Sequence, residues 1–305
     1  SITKAEFPKK VAVVGAGPAG MACATTAAER GHDVTLFDAA DRIGGQFNIA
    51  KQIPGKEDFN ETLRYFGKRI ETTGVKLRLN TRAEADALKA EGFDHVVLAT
   101  GISPRKPAIP GVESDKVATY LDIIEGRKVA GKSVAIIGAG GIGFDVGEFL
   151  THAHDERSES ERFNSEWGID PTYASRGGLK PAVDEKAPRK VYLLQRKESK
   201  VGDGLAKTTG WIRRTLLKKR GVTMIPGVSY ERIDEAGLHI SVGGEAKTLP
   251  VDTIVVCAGQ ESRRELKAPL EAAGIPVTLI GGADVAAELD AKRAIDQGTR
   301  VAAAL

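Results

Sequence analysis

The stretch Val11-Ala12-Val13-Val14-Gly15-Ala16-Gly17-Pro18-Ala19-Gly20 is an apolar run that ends in glycines spaced Gly-x-Gly-x-x-Gly. The pattern returns at Val134-Ala135-Ile136-Ile137-Gly138-Ala139-Gly140-Gly141-Ile142-Gly143. Each copy follows a strand-like run and opens a helix-like one, Ala-rich from Gly17 to Glu29 in the first. That context gives the glycines a purpose. The first permits a tight turn, the second lets a pyrophosphate approach the backbone, and the third lets helix and strand pack closely. The helix N-terminus adds N–H groups and a favourable dipole for phosphate. Two such units predict an α/β chain with two Rossmann-like dinucleotide-binding domains.

The next strands end in opposite chemistry. Val34-Thr35-Leu36-Phe37-Asp38 closes on a carboxylate followed by Ala39, whereas Val191-Tyr192-Leu193-Leu194-Gln195 runs into Arg196 and Lys197. A carboxylate there accepts hydrogen bonds from ribose hydroxyls and repels a 2′-phosphate, while a basic pair attracts that phosphate. The first unit is therefore expected to hold FAD and the second NADPH, with Lys200 a further candidate for the clamp. This is the layout of a flavoprotein fed by NADPH.

Other segments extend the first site. The turn Asp41-Arg42-Ile43-Gly44-Gly45-Gln46 is expected to wrap the adenosine end and lead toward the flavin ring. Asp94 to Thr100-Gly101 is an apolar strand closed by a turn, and Asp252 to Gly259 repeats it. Near the end, the strand Val277 to Ile280 runs into Gly281-Gly282-Ala283-Asp284 and then a helix. Asp284 is expected at that helix N-terminus, facing the ribityl hydroxyls or the pyrophosphate of FAD. Thr100, Gly101, Gly259 and Gly282 are counted with the cofactor contacts.

The organisation is nested. Residues 1–110 begin the FAD-binding domain, 111–259 form an inserted NADP-binding domain, and 260–305 return to complete the first. Pro104, Pro107 and Pro110 make a stiff extended linker between them. From Gly15 to Asp38 the first repeat runs 23 positions, and from Gly138 to Gln195 the second runs 57. The excess falls at about 152–189, a charged, Gly- and Pro-containing stretch too long for a simple loop. It reads as a surface excursion and candidate contact face, with Trp167 and Tyr173 as candidate buried anchors. A helix at about 209–220 ends in Lys218, Lys219 and Arg220, cations that complement the helix dipole.

The 305 residues suffice for two domains with real cores. The net charge of +3 is a small difference between 44 basic and 41 acidic residues, and no basic tail or aromatic-interleaved patch points to nucleic acid. No apolar run reaches membrane-spanning length, and no signal-peptide core is visible, so a cytoplasmic setting is expected. The chain begins at Ser1 rather than Met, as a processed product or a piece of something longer would. Cys23 and Cys257 are far apart and read as small buried residues, with neither a redox pair nor the ligands of an iron–sulfur cluster. His152 and His154 resemble a metal pair but lie in a polar stretch without further ligands, and no metal is expected. No acid–base or nucleophile constellation stands out. Hydride transfer between two cofactors needs mainly alignment and water exclusion, because the cofactors carry the chemistry.

Several runs resemble the C-terminal half of bacterial NADPH-dependent 2,4-dienoyl-CoA reductase, an old-yellow-enzyme fusion related to trimethylamine dehydrogenase. They are residues 41–56, 134–145 and 194–205, with Glu166-Trp167-Gly168-Ile169-Asp170 and Leu279 to Asp284. The resemblance covers nearly the whole chain from Lys9. It implies a fold of the glutathione and thioredoxin reductase kind, in which NADPH reduces FAD and electrons pass on through a four-iron cluster to FMN. In that family the cluster, the FMN and the substrate residues belong to an N-terminal barrel outside this sequence, and reduction of dienoyl-CoA serves unsaturated fatty acid β-oxidation. The implied partners are NADPH and that barrel or an equivalent acceptor. A self-standing reductase of a ferredoxin, flavodoxin or quinone, and a non-catalytic ADP-holding domain as in the trimethylamine dehydrogenase branch, remain alternatives.

Overall fold

The computed structural model describes residues 2–153, 156–184, 186–287 and 290–305. The chain forms two compact units, residues 1–105 with 259–305, and residues 106–258. The first begins with β1 (Lys10–Val14), α1 (Pro18–Glu29), β2 (Asp33–Phe37), α2 (Phe47–Ala50), α3 (Phe59–Thr73), β3 (Lys76–Arg78), α4 (Ala85–Ala90), β4 (His95–Leu98) and β5 (Ile102–Pro104). The second contains β6 (Val117–Thr119), α5 (Tyr120–Ile124), β7 (Ser133–Ile137), α6 (Gly141–Thr151), α7 (Glu159–Trp167), β8 (Lys190–Leu194) and α8 (Gly210–Lys219). It continues with β9 (Thr223–Ile225), β10 (Val228–Asp234), β11 (Gly237–Val242), β12 (Glu245–Leu249) and β13 (Thr253–Val256). The first unit then resumes with β14 (Gln260–Ser262), α9 (Lys267–Ala272), β15 (Val277–Leu279) and α10 (Ala291–Ala304).

The first unit is built on a parallel sheet of order β15-β4-β1-β2-β3. Successive residues of β1 serve opposite layers, as the two-residue period of a strand requires. Val11 and Val13 pack with α1, while Ala12 and Val14 pack with Phe37, Leu88, Phe93 and Leu270. The alanines of α1 from Ala19 to Ala27 are buried all round, because α3 and α10 cover the sides the sheet does not. Gly298 in α10 makes this possible: a Cβ there would overlap the Ala19 carbonyl.

The second unit repeats the plan in the order β6-β13-β7-β8-β9, again all parallel. One face of its sheet, including Ala135, Ile137 and Leu194, packs with Ile233, Leu238, Ile240 and Leu249 of the antiparallel sheet β10-β11-β12. The repetition reaches single bonds. The Asp94 carboxylate accepts the Lys10 N–H at 2.7 Å, and Asp252 accepts the Ser133 N–H at 2.9 Å. Ile109 lies in the core of the second unit, and the Pro110 carbonyl accepts the Ile233 N–H at 2.8 Å, so the proline stretch is packed rather than free.

The excursion carries the helix α7, started by a capping box between Ser158 and Glu161. Its anchor is not aromatic. Tyr173 is 81% exposed, held at φ 56° in the turn after Asp170, and Trp167 is half-buried beneath the Lys219 ammonium. The anchor is a buried ion pair: Arg220 Nε and Nη2 donate to the Glu166 carboxylate at 2.9 and 3.0 Å. Lys219 also donates to the Glu166 carbonyl. The basic end of α8 therefore holds the excursion as well as complementing the helix dipole. Asp170 closes the following turn, accepting from Thr172 Oγ1 at 2.6 Å and from the Ser175 N–H at 2.8 Å. These bonds hold its carboxyl down at about 2.

His152 is buried at the end of α6, and His154 lies outside the described residues. No cluster of three or more potential metal ligands occurs among the described residues, and none of their helices is long and apolar enough to cross a membrane. Cys23 is fully buried, and desolvation pushes its thiol up to about 12. Cys257 is half-buried just beyond the end of β13, its thiol raised first by burial and then by the Asp145 carboxylate.

Candidate functional sites at the strand ends

In a parallel sheet ligands gather at the carboxyl ends of the strands. In the first unit Gly15 follows β1, Asp38 follows β2, Thr100 and Gly101 follow β4, and Gly281 to Asp284 follow β15. The Gly15 N–H donates to the Phe37 carbonyl at 2.8 Å, and its φ of 110° suits glycine. A Cβ on Gly15 would overlap the Ala99 carbonyl, and one on Gly20 the Gly15 carbonyl. Gly17 differs, because a Cβ there would meet nothing nearer than Gly45 Cα at 4.0 Å. The outer glycines are consumed by packing and the middle one faces space. Pro18 and Ala19 open α1, whose N-terminal Gly17 receives no side-chain cap. Pro suits this first position because the N–H it lacks would have no helical partner.

Asp38 draws the turn together. One carboxylate oxygen accepts the Ala16 N–H at 2.7 Å, and the other accepts the Ala40 N–H at 2.8 Å. The Asp41–Gln46 turn folds over the same place. The Gly44 N–H donates to the Ala16 carbonyl at 2.8 Å, and a Cβ on Gly45 would crowd Gly17 Cα. Gln46 heads the short helix α2. Arg42 is the member not drawn in, since its guanidinium forks onto the exposed Asp41 carboxylate beside it. Ala39 is exposed after Asp38.

The return segment corrects one expectation. Asp284 does not sit at a helix N-terminus: it ends the 3₁₀ turn Gly281–Ala283, and α10 begins seven residues later with Asp290 as its cap. A short side chain can cap only within its own turn, and Asp290 fills that role through the Lys292 N–H. Asp284 is fixed instead by Gln297, whose Nε2 donates to it at 2.7 Å while Oε1 accepts the Gly281 N–H at 2.8 Å. Arg264 donates to the carbonyls of Ala283 and Asp284, and Ser262 to that of Gly282. Gly282 lies against Gly101, and Thr100 Oγ1 donates to the Arg263 carbonyl at 2.6 Å. Gln297, Arg264 and Ser262 were not marked by the sequence. The one available signal was Gly298, a glycine inside a helix, which flags close packing.

In the second unit Gly138 repeats Gly15 closely. Its φ is 107°, its N–H donates to the Leu194 carbonyl at 3.0 Å, and a Cβ on it would overlap the Cys257 carbonyl. Gly143 packs on the Gly138 carbonyl in turn. A Cβ on Gly140 or Gly141 would meet nothing within 4 Å, and Gly140 carries no side-chain cap, so Gly141 and Ile142 start α6 beside open space. Past β8, Gln195 is half-buried while Arg196, Lys197 and Lys200 are exposed. None of these three cations forms an ion pair among the described residues. Arg196 is near enough to Tyr230 to oppose the upward push that burial gives its phenol. Gly259 lies where the chain re-enters the first unit, its carbonyl accepting the Arg105 N–H at 3.0 Å.

Both turns therefore offer an uncapped helix N-terminus and a glycine edge open toward solvent, which fits a pyrophosphate. Residues 9–294 match the pyridine nucleotide-disulphide oxidoreductase family. The chain belongs to that family. The chain is thus a flavin- and NAD(P)-binding oxidoreductase unit. It is 30% identical over 295 residues to a metal reductase of Desulforamulus reducens, covering 93% of this chain and 42% of that protein. A solved 2-naphthoyl-CoA reductase superposes with a TM-score of 0.83 at 30% identity, over 100% of this chain and 41% of its own. The thioredoxin reductase of T. acidophilum, 17% identical with a TM-score of 0.64, matches 97% of both chains and shows the shared fold. The chain spans about two fifths of the length of the two reductases at 30% identity.

Proposed function

We propose that the chain is the electron-input module of a reductase, with FAD on the repeat that ends in Asp38 and NADPH on the repeat that ends in Arg196 and Lys197. The observation that carries this is the contrast at two equivalent places. Past β2 stands a carboxylate tied to the glycine turn, and past β8 a carboxamide followed by two exposed cations without ion partners among the described residues. When bound, the two dinucleotides supply the redox chemistry, with NADPH as hydride donor and FAD as acceptor.

The chain's own residues bind and orient. Gly17 and Gly140 leave room for pyrophosphate, the starts of α1 and α6 face it with N–H groups, and Asp38 offers ribose an acceptor. Asp284, steadied by Gln297, is proposed to hold the ribityl or pyrophosphate side of FAD. Arg196 and Lys197 are proposed to neutralise the 2′-phosphate.

The onward path is proposed to run to a four-iron cluster and FMN in a barrel domain or an equivalent partner, as in 2,4-dienoyl-CoA reductase. Two relatives over more than nine tenths of the chain are named as reductases, one of them of a coenzyme A thioester, which supports this direction. The test is the visible spectrum of the purified protein with mass spectrometry of what it releases. One FAD per chain is expected. A colourless protein that releases ADP contradicts the proposal and favours a structural nucleotide.

A further inference from the structure

Gln195 occupies in the second unit the place of Asp38 in the first, directly after the strand paired with the glycine strand. We propose that Gln195 is a positioning residue for dinucleotide selection, whose carboxamide locks the 195–199 turn in the form that presents Arg196 and Lys197 to a 2′-phosphate. This rests on the reading of the second unit as the NADPH site.

The turn is tied at its base by backbone. The Gln195 N–H donates to the Ile225 carbonyl at 3.0 Å, and its own carbonyl accepts the Val228 N–H at 3.0 Å. The Lys197 carbonyl accepts the Gly227 N–H, also at 3.0 Å. The side chain then crosses the turn. Nε2 donates to the Lys197 carbonyl at 3.0 Å and to the Ser199 carbonyl at 2.8 Å, with Ser199 Oγ at 3.5 Å. Two carbonyl oxygens thus converge on one nitrogen, and a primary amide has two hydrogens to give them. A carboxylate has none, and would face those oxygens with like charge.

The first unit shows the inverse. There, two backbone N–H groups, of Ala16 and Ala40, converge on the Asp38 carboxylate. Each turn fits the side chain it carries and rejects the other. The change from Asp to Gln is therefore more than the removal of a repulsive charge. Arg196 and Lys197 have no ion partner among the described residues, so the direction in which they leave the surface is set by the turn.

Calorimetric titration of the purified flavoprotein with 2′,5′-ADP and 5′-AMP separates the alternatives. Gln195→Met keeps size and neutrality but has no N–H. It is expected to weaken 2′,5′-ADP about tenfold while 5′-AMP changes less than about twofold, the loss of one or two turn-locking bonds. Gln195→Glu is expected to lose at least as much. Unchanged 5′-AMP binding and melting temperature report an intact fold. If Gln195→Met binds 2′,5′-ADP like wild type while Arg196→Gln with Lys197→Gln does not, the clamp stands and the positioning role is overturned. Equal weakening of both probes by Gln195→Met also overturns it. If the double clamp variant itself binds 2′,5′-ADP like wild type, the NADPH reading fails and takes the positioning role with it.

Discussion

Replacing the glycines of the second repeat one at a time separates packing from ligand binding, and the structure assigns the outer two one outcome and the middle one another. Gly138→Ala places a side chain at φ 107° against the Cys257 carbonyl. The left-handed strain alone costs about 1–3 kcal/mol, and the overlap with backbone adds about 1–3 more. Gly143→Ala meets the Gly138 carbonyl and carries a similar overlap cost. Gly140→Ala is different. Its φ of −80° and ψ of −170° suit any residue, and its Cβ would have nothing within 4 Å. Ala is slightly poorer than Gly as a helix cap but restricts the unfolded chain, so stability should move by less than about 1 kcal/mol. The methyl group does occupy the edge that a pyrophosphate would approach. Denaturant melts of the three variants, followed by calorimetric titration of Gly140→Ala with NADP⁺, give both readouts. Gly140→Ala is expected to melt like wild type and lose more than about tenfold in affinity, about 1.4 kcal/mol or more. Full NADP⁺ affinity in Gly140→Ala, or wild-type stability in Gly138→Ala, would refute the division of labour.

Other expectations concern the excursion and the thiols. Removing Glu166 with Glu166→Ala leaves Arg220 buried and unpaired, a loss of about 3–5 kcal/mol; the paired replacement Glu166→Leu with Arg220→Met should recover most of it. A shift below about 1 kcal/mol in the denaturation midpoint analysis would show that the pair is not the anchor. Asp170 is held at about 2, below its unfolded value near 4. Its contribution is therefore present above about pH 4 and lost as pH falls toward 2, and Asp170→Asn abolishes that dependence. Amide exchange in residues 170–180 against pH measures it, and a flat profile in the wild type sinks the assignment. Burial raises both thiols, Cys23 to about 12, so neither should react at pH 8 until the protein unfolds. Rapid labelling of Cys23 itself in the native protein, located by peptide mapping, would contradict its burial.

Much of this fold was legible because its signals are local. The glycine spacings, the apolar run Val11–Val14 and the repeat of Asp94–Gly101 in Asp252–Gly259 depend on residues adjacent in sequence, and each became a strand or strand end in a parallel sheet. Asp38 and Gln195 could be placed for the same reason. What escaped is non-local. Gln297 reaches Asp284 from the next helix, and no spacing rule links them, so the sequence alone points to Asp284 as a helix start, the place that Asp290 occupies instead. The excursion misled differently. Large aromatics are the usual anchors of a long loop, but Tyr173 is exposed and the burial fell to Glu166 and Arg220, 54 residues apart. Charged residues carry no sequence mark of burial.

FAD on one repeat, reduced by NADPH on the other, is the arrangement proposed for this chain. Anaerobic stopped-flow mixing of the FAD-loaded protein with NADPH or NADH, following the visible flavin absorption, tests that arrangement. Both nucleotides are expected to bleach the flavin, with NADPH saturating at least about tenfold lower in concentration, as one or two charge-assisted phosphate contacts would give. Preference for NADH, or a flavin that neither nucleotide bleaches, would contradict it.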